Sequence, residues 1–125
     1  MRINLFRLPR KYSKYERQIV RIARAVIGNE GRRLGELNVI FADNRYMRNL
    51  NRRFLRRDRA TDVLSFRLDT GYGEIYIARQ QIESYEHLKE LLVHGLLHLA
   101  GLDHTRSSDK KVMFGKTAYY LHQPD

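Results

Sequence analysis

The chain contains no cysteine, which excludes a disulfide framework and any thiolate-ligated metal site and is compatible with a reducing cytosol. It has no apolar run approaching the ~18 residues that suggest a membrane span. Its first residues, MRINLFRLPRKY, lack the uninterrupted apolar stretch of a secretory leader. No repeat, low-complexity tract or linker-like segment interrupts it. Acidic residues are scarce: 14 Asp+Glu face 24 Lys+Arg, for a net charge of +10 over 125 residues. At 42% hydrophobic residues the chain is too apolar for a disordered basic tail. Its length suits one domain over residues 1–125, burying about two-thirds of its unfolded surface. These exclusions leave a small, basic, cytoplasmic domain with an anionic partner and no membrane contact.

The distribution of charge says more than its sum. Eighteen of the cations are arginine, a planar fork suited to phosphates and carboxylates. Residues 1–33 carry +8 and residues 45–59 carry +6, whereas residues 67–104, which hold most of the histidines, carry −3. A polyanion bound near those histidines therefore needs the upstream arginines to be brought to it by folding.

Hydrophobic spacing predicts alternating elements. Ile3, Leu5 and Leu8 read as a strand ending at Pro9. Residues 14–27 place Ile19, Ile22, Ala23, Val26 and Ile27 at helical spacing, with Gly28 as a stop. Residues 36–41 read as a buried strand, followed by a helix capped by Asp43 or Asn44 and running to about Phe54. Residues 61–68 and 74–78 form strands joined by a turn at Gly71-Tyr72-Gly73, which has no P-loop lysine after it. A long helix from Ile82 stops at Gly101, and a last helix covers about 108–121. The order β-α-β-α-β-β-α-α describes an α+β fold, a small mixed sheet packed by helices.

The chemistry-bearing segment is LLVHGLLHLAGLDH, residues 91–104. His94 and His98 are four apart and project from one helix face. Gly101 can take positive φ and reverse the chain, returning His104 toward them. Three neutral imidazoles arranged this way make an open zinc site on a long helix and its exit loop, and Asp103 reads either as an acceptor that orients one of them or as an exposed loop aspartate. The spacing also matches a zincin-like protease pattern, but there a glutamate follows the first histidine as general base. Here that residue is Gly95, so peptide hydrolysis is disfavoured. His87 and His122 read as non-ligands.

The run His94-Gly95-Leu96-Leu97-His98-Leu99-Ala100-Gly101-Leu102-Asp103-His104 matches every fixed position of H-G-x-L-H-L-x-G-x-D-H, the signature of the YbeY family. A second family block, P-T-D-V-L-S-F, is present as Ala60-Thr61-Asp62-Val63-Leu64-Ser65-Phe66, differing at the proline. Gly73-Glu74-Ile75, Leu50-Asn51, Asp109 and Met113 also fit, so the sequence resembles the family from about residue 36 to 115. The resemblance implies a zincin-like, metal-dependent endoribonuclease of ribosomal RNA maturation. It implies one Zn²⁺ or another divalent ion held by His94, His98 and His104, with RNA and the small ribosomal subunit as partners. It also implies an active-site arginine following an aromatic residue, a position that Leu55 occupies here after Phe54.

Arg56 is the nearest substitute for that arginine. Arg52, Arg53, Arg57 and Arg59 are candidates for holding RNA. Zinc lowers the pKa of water it binds to about 7, and a phosphodiester needs positive charge on its oxygens before a nucleophile can approach. Either water or the RNA 2′-hydroxyl can be that nucleophile. A different class of reading makes the chain a non-catalytic ribosome assembly factor in which zinc staples the helix to its exit loop. Lys14, Arg17, Arg21 and Arg24 form a basic stripe on the first helix, either RNA-facing or simply solvated. Phe41, Phe66 and Tyr76 read as core, leaving Tyr72 in its glycine-flanked turn as the aromatic available to stack on a base.

Overall fold

A computed structural model of the chain describes residues 1–31, 33–55, 61–69, 71–101 and 107–123. Four strands, β1 (Arg2–Phe6), β2 (Glu36–Ala42), β3 (Val63–Asp69) and β4 (Tyr72–Ala78), form one sheet in the order β1-β2-β4-β3. The helices are α1 (Glu16–Asn29), α2 (Asn44–Leu55), α3 (Tyr85–Leu99) and α4 (Ser107–Leu121). β1, β2 and β4 run parallel, and β3 is antiparallel to β4. The parallel pairs require crossovers, supplied by α1 between β1 and β2 and by α2 with β3 between β2 and β4. The expected mixed α+β architecture is therefore present.

Strand alternation separates the two faces. Leu37, Val39 and Phe41 of β2 and Ile75 and Ile77 of β4 are fully buried with residues of α1, α3 and α4. Their neighbours Ala42, Leu64 and Ala78 pack on the other face with Met47 and Leu50 of α2. Helices α2 and α3 thus lie on opposite faces. Beside α2 the second face is polar. Asn4 donates to Glu36 and Asn38, Asn38 donates to Tyr72, and the Tyr72 and Tyr76 hydroxyls donate to Glu74. Burial and the Glu74 carboxylate push both phenols above their ordinary pKa.

Several element boundaries differ from the sequence expectation. β1 ends at Phe6 instead of reaching Pro9, and a 3₁₀ helix, Arg10–Tyr15, follows it. Gly28 does not stop α1. The helix runs to Asn29, and Gly31 takes the left-handed φ of 77° that closes it. Tyr72 and Gly73 belong to β4 instead of a turn, because Tyr72 pairs with Asp69 across the hairpin. Tyr72 is therefore tied into the polar face and is not a projecting stacking platform. Asp43 caps α2, its Oδ1 accepting from the Tyr46 amide at 2.8 Å.

Helix α3 approaches the sheet closely at Gly95. A β-carbon there would lie 2.9 Å from Ile75 Cγ2, 3.1 Å from Ser65 Oγ and 3.2 Å from Val63 Cγ2. Ser65 Oγ also donates to the Gly95 carbonyl at 2.8 Å. At its start α3 is tied to α1, with Tyr85 stacked on Tyr15 and its hydroxyl donating to Gln18. Helix α4 is held to the end of α1 by Glu30, which accepts from Lys116 and, at 2.6 Å, from Tyr120. Burial works to raise the Glu30 pKa, but the bonds from Lys116 and Tyr120 outweigh it and hold the carboxyl below its ordinary value. In return, burial and Glu30 push the Tyr120 phenol up to about 12.

Two helical glycines are expected to respond to alanine with opposite signs. Gly28→Ala meets nothing within 4 Å and should gain about 0.5–1 kcal/mol from helix propensity. Gly95→Ala should lose about 1–3 kcal/mol to overpacking. Denaturant titration of both variants measures this, and a stabilised Gly95→Ala would contradict the close packing. A lowered Glu30 pKa stabilises the fold above the ordinary value of 4.5, and that stabilisation is lost as pH falls through the folded value. Glu30→Gln should therefore lower the urea midpoint near about pH 7 and lose less of it on acidification to about pH 3 than the parent chain does.

Candidate metal centre and its cleft

Helix α3 is organised from its first turn. Ser84 caps it by accepting from the His87 amide at 3.1 Å, while His87 Nδ1 accepts from the Glu83 amide at 3.1 Å. This reciprocal pair resembles a capping box with histidine in place of the usual glutamate, so His87 serves the helix start. From Leu91 to Leu99 every residue is buried except His94 and His98, which are half-buried. The leucines and Gly95 face the sheet and neighbouring helices, and the two imidazoles take the remaining edge.

The His94 and His98 Nε2 atoms are 3.1 Å apart, with ring centroids at 4.7 Å. Two ligands of a tetrahedral zinc ion, with bonds of ~2.0–2.1 Å, are separated by about 3.3 Å. The pair therefore fits a shared metal with little adjustment. Ala100 ends the helix and Gly101 follows with φ 95°, its amide donating to the His98 carbonyl at 2.9 Å. This is the left-handed exit expected from the sequence. His104 and Asp103, beyond it, lie outside the described residues. Gly95, where a zincin protease carries its glutamate, is filled space in contact with the sheet.

A cleft of about 610 Å³ lies between α3 and α4, with His94 among its lining residues. Asp62, immediately before β3, also lines it, and its carbonyl accepts from the Ala78 amide at 2.9 Å. The structure therefore brings the second sequence block to the first. Val63 and Ser65 pack at Gly95, and Asp62 reaches the same cleft as His94. The rest of the cleft includes His87 and Glu90 of α3, Lys110, Phe114 and Thr117 of α4, and His122. Sequence spacing did not single out Asp62, Glu90 or Phe114 for a site, although Asp62 stood within a recognised block.

Arg52 and Arg53 are exposed at the last turn of α2. Arg52 donates to Asn49 at 3.0 Å, and the Arg53 guanidinium lies over the Phe54 ring. Helix α2, which carries these two arginines, packs on the sheet face opposite α3. Arg56, Arg57 and Arg59 lie outside the described residues, in the segment that leads from α2 to Asp62. On α1, Arg17, Arg21 and Arg24 form an exposed row, with Arg24 donating to the Met1 carbonyl at 2.7 Å.

Comparison with known proteins adds an independent observation. A family model described as Endoribonuclease YbeY matches residues 6–124. The chain is 39% identical to Endoribonuclease YbeY of Bacillus cytotoxicus, covering 65% of this chain and 67% of that protein. It is 33% identical to Endoribonuclease YbeY of Flavobacterium psychrophilum, covering 74% of each. The solution structure of a Thermotoga maritima protein matches the fold with a TM-score of 0.61 at 29% identity, covering 95% of this chain and 86% of that one.

If the Nε2 pair holds a metal, His98→Ala should remove stoichiometric metal from the purified protein while circular dichroism stays unchanged. Elemental analysis of parent and variant checks this. Metal retained at the parental level in His98→Ala would remove this pair from the site.

Proposed function

The chain belongs to the YbeY family of endoribonucleases, and from that membership and the His94–His98 geometry we propose a zinc-dependent endoribonuclease that prefers single-stranded RNA. In this reading it forms one zincin-like domain over residues 1–125 and acts in the cytoplasm on ribosomal RNA, in maturation and ribosome quality control with the small subunit. The observation that carries the reading is the 3.1 Å Nε2 pair at the positions of the family's histidine signature, with His94 lining the adjoining cleft. His104 is the third ligand in this proposal. Among the described residues no helix is long and apolar enough to cross a membrane.

His94, His98 and His104 would hold the zinc ion, which would supply Lewis acidity. The protein's own task is to position the phosphodiester and neutralise its charge. Arg56 is the proposed contact to the phosphoryl oxygens, since it is adjacent to the family's arginine position at Leu55 and the guanidinium fork matches two oxygens. Arg52, Arg53, Arg57 and Arg59 are the proposed contacts to the flanking RNA backbone. Gly95 stands directly after His94, where zincin proteases carry their glutamate base, which favours phosphodiester over peptide chemistry. Either water or the 2′-hydroxyl serves as nucleophile, and the product ends distinguish them, because 2′-hydroxyl attack leaves a cyclic phosphate.

Cleavage of an unstructured RNA by the metal-loaded protein tests the whole reading. Chelation or His98→Ala should abolish cleavage, and Arg56→Ala should slow it by about 10²–10³. Arg52→Ala should weaken RNA binding and reduce the salt slope by about one. Full activity in Arg56→Ala with loss in Arg52→Ala would transfer the catalytic contact to Arg52. Metal-dependent peptide cleavage in place of RNA cleavage would overturn the proposal.

A further inference from the structure

The cleft between α3 and α4 has chemistry that phosphate recognition does not explain. Its volume, about 610 Å³, falls within the ~300–1,000 Å³ typical of small-molecule sites. Leu91 and Met113 are buried in its floor, and Ala118 and Leu121 continue the apolar wall. Among the described residues that line it, Lys110 is the one lysine or arginine, set against the carboxylates of Asp62 and Glu90. The described lining is therefore more apolar than cationic and suits a flat, uncharged ligand better than a phosphate. Phe114 lines the same cleft and is 78% exposed. An aromatic face of that size open to solvent is a platform on which a ring can stack.

We propose that this cleft is a nucleobase subsite, in which a base next to the cleaved bond lies against Phe114 while its phosphate faces the His94 end. The proposal rests on the endoribonuclease reading and names the part of the RNA that the same site takes. Continuity supports it, because His94 lines both the metal centre and the cleft, so a strand cut at one must lay an adjoining nucleotide in the other. Single-stranded preference follows physically, since only an unpaired base can leave its stack to enter an apolar wall. Sequence tolerance follows as well, because every base has a π-face.

The test uses metal-loaded protein and an unstructured RNA oligonucleotide cut at one site, with abasic nucleotides introduced singly around that site. One abasic position should lower kcat/KM by about tenfold. Phe114→Ala should lower cleavage of the intact oligonucleotide by a similar factor with metal content unchanged, and should cause no further loss on the abasic oligonucleotide. Ala118→Phe, which fills the cleft from the α4 wall, should also erase the abasic effect. The subsite is overturned if the abasic penalty is equal at every position or persists undiminished in both variants. It is also overturned if Phe114→Ala instead abolishes a concentration-dependent self-association and leaves cleavage unchanged. A parent protein that cuts no RNA defeats the endoribonuclease reading itself, an outcome distinct from a parent that cuts with no dependence on Phe114.

Discussion

Helix α3 lies close enough to the sheet to place its two histidines because residue 95 has no side chain. Ile75, Ser65 and Val63 surround the point where a β-carbon would stand, the nearest of them at 2.9 Å. Ser65 then locks the contact by donating to the Gly95 carbonyl. A larger residue must lift the helix or push the buried Ile75 aside, and close-packed interiors transmit such shifts instead of absorbing them. His94 adjoins this contact and His98 lies one turn beyond it. The geometry of the Nε2 pair is thus a consequence of how the helix meets the strands. The same fact separates the chain from zincin proteases, since the position they use for a base is occupied here by packing.

The second wall of the site depends on a different interaction. Helix α4 is attached to the end of α1 through Glu30, which gathers Lys116 and Tyr120 on one carboxylate. That attachment leaves the opposite side of α4, with Phe114 and Ala118, on the cleft toward α3. Among the described residues that line this space Lys110 is the one lysine or arginine, while exposed arginines stand on α1 and at the end of α2, where long side chains remain hydrated and interact with a polyanion over a longer range than an apolar cleft can.

Much of the fold was legible in the residues, and the departures have particular causes. The periodic runs of α1, β2 and α3 identified their elements because burial on one face imposes a spacing that survives in the sequence. Gly28 misled because glycine permits a left-handed turn without requiring one, and Gly31 supplies it. Tyr72 misled because a glycine on either side resembles a turn, whereas pairing with Asp69 draws it into β4 and its hydroxyl into the Asn38–Glu74 network. His87 was separable from the ligands by spacing, but its capping role appears only in the hydrogen bonds it makes with Glu83 and Ser84. Arg52 and Arg53 were singled out by charge, and only the fold shows that their helix packs on the sheet face opposite α3.

The sequence by itself determined the chemistry available. Without cysteine, a metal site must use imidazole or carboxylate, and histidines four apart on a helix must share a face. A glycine after the first histidine removes the protease base, and a strongly basic chain suits an anionic partner. Tertiary structure alone decided which residues meet. It brought Asp62 to His94 across 32 positions of chain, set Ser65 against Gly95, and opened an apolar cleft beside the histidines with Phe114 on its wall. Local spacing is governed by the repeat of a helix or strand and is written along the chain. Contacts between distant segments depend on the packing of faces, and only the folded chain brings those faces together.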